Sequence, residues 1–83
     1  MTQEEQNIIV GRFFAALAWL KESKRIRGFK TFTDRYGIHR RSLQRLQKDP
    51  STNDFKAVWL TFLVVDYGIN AQWLLTGEGQ MHD

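Results

Sequence analysis

The stretch Thr31-Phe32-Thr33-Asp34-Arg35-Tyr36-Gly37-Ile38-His39-Arg40-Arg41-Ser42-Leu43-Gln44-Arg45-Leu46 divides at one glycine into two short segments with helical spacing. In the first, Phe32 and Tyr36 stand one turn apart, which predicts a helix over Phe29–Tyr36. Gly37 follows, and glycine turns a chain through positive φ without a Cβ penalty. The second segment predicts a helix over Arg40–Lys48, stopped by Pro50, which disfavours helix at Asp49. Two helices meeting at a tight corner need an apolar inner side to set their angle, and Phe32, Tyr36, Ile38, Leu43 and Leu46 supply one.

The outer side of the second helix follows from geometry. With Arg40 at zero and a turn of about 100° per residue, Gln44, Lys48, Arg41 and Arg45 fall at about 40°, 80°, 100° and 140°. Leu46 and Leu43 fall at about 240° and 300°, on the far side. Cations and an amide thus share one face and the leucines the other. Arginine pairs bidentately with guanine O6 and N7, and glutamine with adenine N6 and N7, so these residue types suit base edges as well as phosphates.

The flanks extend the pattern. Thr2 and Glu5 have the spacing of a capping box, which starts a first helix at residue 3. Ile9, Phe13, Leu17 and Leu20 give it an apolar stripe that decays into Lys21-Glu22-Ser23-Lys24, and Arg27-Gly28 reads as a connection. Ile8, Phe14 and Trp19 lie off the stripe, either as scattered surface apolar residues or as an oligomer interface. Ser51-Thr52-Asn53 is a polar loop. A fourth helix is expected over residues 54–66, with Trp59, Leu60, Leu63 and Val64 buried, and Gly68 ends it. Asn70 caps a last helix, Ala71–Thr76, closed by Gly77. Trp59 and Trp73 fit the core pattern. Arg35-Tyr36-Gly37-Ile38-His39 is echoed by Asp66-Tyr67-Gly68-Ile69-Asn70, which predicts two corners built from the same local chemistry. The fold class expected is all-α, a compact bundle of about five helices in one domain, residues 1–83.

The charge is unevenly placed. Residues 24–48 carry nine Lys and Arg against one acid, Asp34, a net of +8, while the rest of the chain nets −5. A solubilising surface usually intersperses its signs, whereas a field concentrated on one segment is the footprint of a polyanion partner. Lys24, Arg25 and Arg27 either steer that partner or favour the C-terminal end of the first helix through its dipole. Eleven aromatic residues supply large apolar area to a small core. Cysteine is absent, which excludes disulfides and thiolate metal sites. His39 and His82 make no zinc pattern, and no cofactor is expected. No apolar run reaches the roughly 20 residues of a membrane span. The acidic start Thr2-Gln3-Glu4-Glu5 is unlike a signal peptide's basic region, so no membrane association and a cytoplasmic location are expected.

The stretch from Thr31 to Leu46 resembles the helix-turn-helix of phage repressor-like DNA-binding regulators. Tyr67-Gly68-Ile69-Asn70-Ala71-Gln72-Trp73-Leu74-Leu75-Thr76-Gly77-Glu78-Gly79 resembles the fifth-helix signature of the same family, and the likeness runs from about Phe13 to Met81. It implies a bundle of about five helices with the third in the major groove of double-stranded DNA. The base-reading positions of the family fall on Arg40, Arg41, Gln44 and Arg45. The residue before that helix, often a capping Ser or Thr that touches phosphate, is His39. The glutamine that commonly clamps phosphate at the start of the second helix is replaced by Phe29, which leaves Arg27 or Lys30 to make that contact. Lys48 on the same outer face is the remaining backbone candidate. The small residue usual in the middle of the second helix is Thr33. Relatives often carry an appended effector or dimerisation domain. Here a homodimer on DNA is expected to form through the bundle, by way of Ile8, Phe14 and Trp19 or the segment around Leu75.

The function expected is sequence-specific DNA binding by a transcriptional regulator or repressor. The alternative is a protein-interaction or antitoxin-like module on the same fold, and a third reading is an RNA binder, which the absence of glycine-aromatic strand motifs disfavours. No enzyme is expected, since no nucleophile–base grouping, metal cluster or nucleotide loop occurs at usable spacing.

Overall fold

The computed structural model describes residues 2–52 and 55–82. Five helices follow in chain order: α1 Gln3–Glu22, α2 Phe29–Tyr36, α3 Arg40–Lys48, α4 Val58–Tyr67 and α5 Ala71–Thr76. The architecture is all-α and compact, and among the described residues the only β pairing is an isolated antiparallel bridge between Ile69 and His82. The radius of gyration is 12.0 Å, close to the roughly 12 Å of a closed domain this long. No described helix is long and apolar enough to cross a membrane.

α1 starts where the capping box places it. The Thr2 hydroxyl accepts from the Glu5 N–H at 3.1 Å, and the Glu5 carboxylate accepts from the Thr2 N–H at 3.4 Å. Each satisfies a donor that the first helical turn leaves open. The helix ends in a turn whose left-handed residue is Lys24, at φ 64°, and the N–H groups of Arg25 and Ile26 return to the Leu20 carbonyl at 2.9 and 3.3 Å. Ile26 then drops into the core and anchors the link to α2.

The two echoed corners share one backbone solution. Gly37 and Gly68 close α2 and α4 at φ 65° and 73°, and the next caps, His39 and Asn70, have φ −68° with ψ 122° and 118°. The side chains then part company. Asn70 accepts from the Gln72 N–H at 3.0 Å, whereas His39 makes no capping hydrogen bond.

Packing centres on Phe13, which is fully buried and meets Phe32 and Phe55 edge-on at 5.8 Å each, with Trp59 at 6.1 Å. Ile9, Leu17, Leu20, Leu43, Leu46, Leu63, Ile69 and Leu74 are buried around it. Thr33 is buried as well. Its hydroxyl donates to the Lys30 carbonyl at 3.1 Å, which is how a polar side chain is accommodated in the middle of α2.

Four expectations need correction. The fourth helix begins at Val58 and ends at Tyr67, with Phe55 to Ala57 outside it; the expected start, Asp54, lies outside the described residues. Phe55 is drawn inward against Phe13 and Trp59, and the first turn of α4 is closed by tighter i→i+3 bonds, Trp59 to Lys56 and Leu60 to Ala57, at 3.0 Å each. Leu60 and Val64 are half-buried, because they border a surface groove between α4 and α5. Tyr36, Ile38 and Trp73 are likewise half-buried and pack on the core from its rim. Phe14 and Trp19 are half-buried against the chain's own residues, Phe14 meeting Phe13 at 5.2 Å and Phe29 at 5.8 Å and Trp19 stacking on His82 at 3.9 Å, while Ile8 stays exposed. The stack is possible because Asn70 ties the C-terminal segment back, donating its backbone N–H to Met81 and its amide to Gln80 at 2.8 and 3.0 Å.

Candidate nucleic-acid interface

α3 owes its position to two leucines. Leu43 and Leu46 are 0% exposed, and they face the core while α2 packs alongside. That registration turns Arg40, Arg41, Gln44, Arg45, Gln47 and Lys48 outward, all of them exposed. Arg41, Gln44, Arg45, Gln47 and Lys48 line one open hollow of about 550 Å³. Gln47 is a member that the sequence reading omits, although at about 340° it belongs to the same outer arc as Arg40 and Gln44.

The start of α3 carries open donors. His39 does not cap it, and no acidic residue lies in its first turn. The N-terminal N–H groups of a helix carry partial positive charge and point along the axis, so an uncapped start flanked by Arg40 and Arg41 attracts anions. His39 is exposed and borders a hollow with Tyr36, Gly37, Ser42, Phe62 and Lys56. Lys56 is thereby a cation that the sequence pattern missed. It lies outside the basic segment and reaches this hollow only because Phe55 and Trp59 fold its stretch of chain onto the core.

The remaining candidates sit apart. Phe29 packs against Phe14 and offers no polar group to a partner. Arg27 and Lys30 border another hollow with Thr31 and Asp34, where the Lys30 ammonium meets the Asp34 carboxylate at 2.8 Å. Both members of that pair are well exposed, so it holds Lys30 only weakly and stays open to competition by another anion.

Arg35 has a structural task. Its guanidinium lies 5.3 and 5.5 Å from the Tyr36 and Tyr67 ring centres and 3.9 Å from Asp66. Hydrogen bonding to Tyr67 and then the field of Tyr36 raise its pKa above the ordinary arginine value. Tyr36 stacks on Phe62 at 3.9 Å and donates its hydroxyl to Asp66 at 2.6 Å. Burial first, and that hydrogen bond second, push the Tyr36 phenol well above its usual range. These contacts bolt α2 to α4, so the corner that carries α3 is braced from behind.

Arg12, one of the few cations outside the basic segment, is also structural: it donates to the Leu74 carbonyl at 3.3 Å and ties α1 to the end of α5. Compared with known protein families, characterised proteins and solved structures, the chain matches none. The outer face of α3 is a ridge of guanidinium forks and amides, groups whose geometry suits planar acceptor pairs and phosphate oxygens. Among the described residues no three His, Asp or Glu side chains gather as a metal-binding group.

Proposed function

We infer that the chain is a phage repressor-like helix-turn-helix domain that binds double-stranded DNA and regulates transcription, with α3 seated in the major groove. The observation that carries this is the division of α3: two fully buried leucines on one side, and guanidinium and amide groups on the other, immediately after a glycine corner. In this reading Arg40, Arg41, Gln44 and Arg45 contact bases, with Gln47 beside them. His39, Lys48 and the newly placed Lys56 contact the sugar–phosphate backbone, as do Arg27 and Lys30. Base contacts specify sequence and phosphate contacts position the protein.

Selection from a random duplex pool tests the reading: one enriched motif is expected, and no enrichment over the starting pool refutes it. Arg41→Ala and Gln44→Ala should then change which bases are preferred within that motif, since a good bidentate pair discriminates by about 1–3 kcal/mol. An equal drop in affinity on every duplex would remove these two residues from the base-reading set.

Pairing on DNA belongs to the same proposal, because one short recognition helix reads too few base pairs to single out a site. Among the described residues the large apolar side chains left exposed are Ile8, Val58, Val65 and Leu75, at 51%, 49%, 73% and 54%, and the pair proposed to meet a second copy is Val65 and Leu75. They line a groove of about 360 Å³ between α4 and α5. Its lining residues, Ala57, Leu60, Thr61, Val64, Val65, Ala71, Leu74 and Leu75, carry no charge, so two copies meet there without like-charge repulsion.

A further inference from the structure

The hollow beside the Gly37 corner joins an aromatic wall to a polar rim. It has a volume of about 400 Å³, within the range of pockets that take small organic ligands. Tyr36, Ile38, Trp59 and Phe62 form the wall, all buried or half-buried, and Val58 stands exposed at its edge. His39, Ser42 and Lys56 supply the polar groups.

The wall is already ordered. Tyr36 stacks on Phe62 at 3.9 Å with the rings 4° from parallel, and the Tyr36 hydroxyl is held by Asp66. Trp59 is fixed from behind by Phe13 and Phe55. A ligand entering here has few side chains to immobilise, which lowers the entropy cost of binding. The rim is unsatisfied. Among the described residues the side chains of His39, Ser42 and Lys56 have no hydrogen-bond or ion-pair partner, and no carboxylate lines the hollow. His39 and Ser42 also flank the positive end of α3.

These two halves select a chemistry. A bare inorganic anion would engage the rim and leave the apolar wall wet. A neutral apolar molecule would cover the wall and leave the rim without an acceptor. A planar ring bearing one carboxylate meets both needs. We propose that this hollow is a binding site for a small aromatic carboxylate, with its ring against Tyr36, Trp59 and Phe62 and its carboxylate between Lys56 and His39. The site belongs to the free protein and does not rest on DNA binding. Its consequence for regulation does rest on that reading, because His39 and Lys56 are there assigned to the sugar–phosphate backbone, so a bound acid and a duplex compete for the same two side chains.

The test titrates benzoate into isotope-labelled free protein and follows amide signals by NMR. The signals of Gly37, His39, Ser42, Lys56 and Phe62 should shift saturably, and those of Val65 and Leu75 should stay in place. Benzamide has the ring without the charge, and inorganic phosphate at matched ionic strength has the charge without the ring. Each should bind at least about tenfold more weakly than benzoate. Lys56→Gln should weaken benzoate about tenfold. Val58→Phe fills the hollow without touching a charge and should abolish binding. Both positions are exposed, and circular dichroism checks that the variants are folded. The site is overturned if benzoate gives no saturable shift, if folded Val58→Phe and Lys56→Gln both bind it as the wild type does, or if benzamide matches it. Phosphate binding as tightly as benzoate also overturns the site, since only an anion contact would then remain. In a second arm benzoate should lower the duplex affinity of the wild type and not that of Val58→Phe. An unchanged wild-type duplex affinity removes the competition and leaves the site standing. If the protein binds no duplex, the DNA-binding reading fails while the titration of free protein still decides the site.

Discussion

Gly77 shows how much one backbone angle can carry. It closes α5 at φ 80°, and a Cβ there would stand 2.7 Å from Arg12 Nη2, the side chain that ties α1 to the Leu74 carbonyl. Gly77→Ala therefore meets both left-handed strain and a displaced guanidinium, and should lower stability by about 1–3 kcal/mol in denaturant titration. The glycine was legible in the sequence as a helix stop. The Arg12 contact was not, because it joins residues far apart in the chain. Tyr36 carries a pH dependence. Its folded pKa is raised above the ordinary value near 10, so its stabilising contribution is complete below about pH 10 and is lost as pH rises further, once the unfolded chain begins to ionise. The melting temperature should fall steeply above about pH 10, and less steeply in Tyr36→Phe. An identical alkaline fall in both proteins would show that the Tyr36–Asp66 contact plays no part.

α2, α3 and α5 have the bounds that local sequence predicts, because each is enclosed by its own punctuation: Gly37, Pro50, Asn70 and Gly77 act over a few residues. α4 departs from its expected start for the opposite reason. No side chain caps it, and the pull of the core on Phe55 sets where it begins. The outer face of α3 was legible from period alone, since burying Leu43 and Leu46 leaves one arc for the polar residues. Leu46→Ala should accordingly cost about 2–5 kcal/mol, the range for truncating a buried leucine, and should loosen α3 from α2. Retention of full stability and of DNA affinity in that variant would mean that α3 does not owe its position to this packing.

The proposed pairing draws on a surface that only the assembled bundle creates. Val65→Asp would put a carboxylate on the otherwise uncharged groove between α4 and α5. On a selected duplex of two half-sites, sedimentation should find two wild-type chains per duplex and one Val65→Asp chain. Wild-type binding at one chain per duplex, on a motif with no inverted or direct repeat, would remove the pairing proposal. Neither the groove nor the stacking of Trp19 on His82 was visible in the order of residues, and the same holds for Lys56 beside His39. Each joins side chains from segments distant in the chain, whose meeting depends on how the helices pack. The all-helical class, the bounds of α2, α3 and α5, and the polar arc of α3 were open to reading beforehand, because caps, glycine corners and a 3.6-residue period are interactions between near neighbours. Which exposed cations share a hollow, and which apolar residues are left uncovered, depends on contacts across the core, and these exist only once Phe13, Phe32 and Trp59 have brought the helices together.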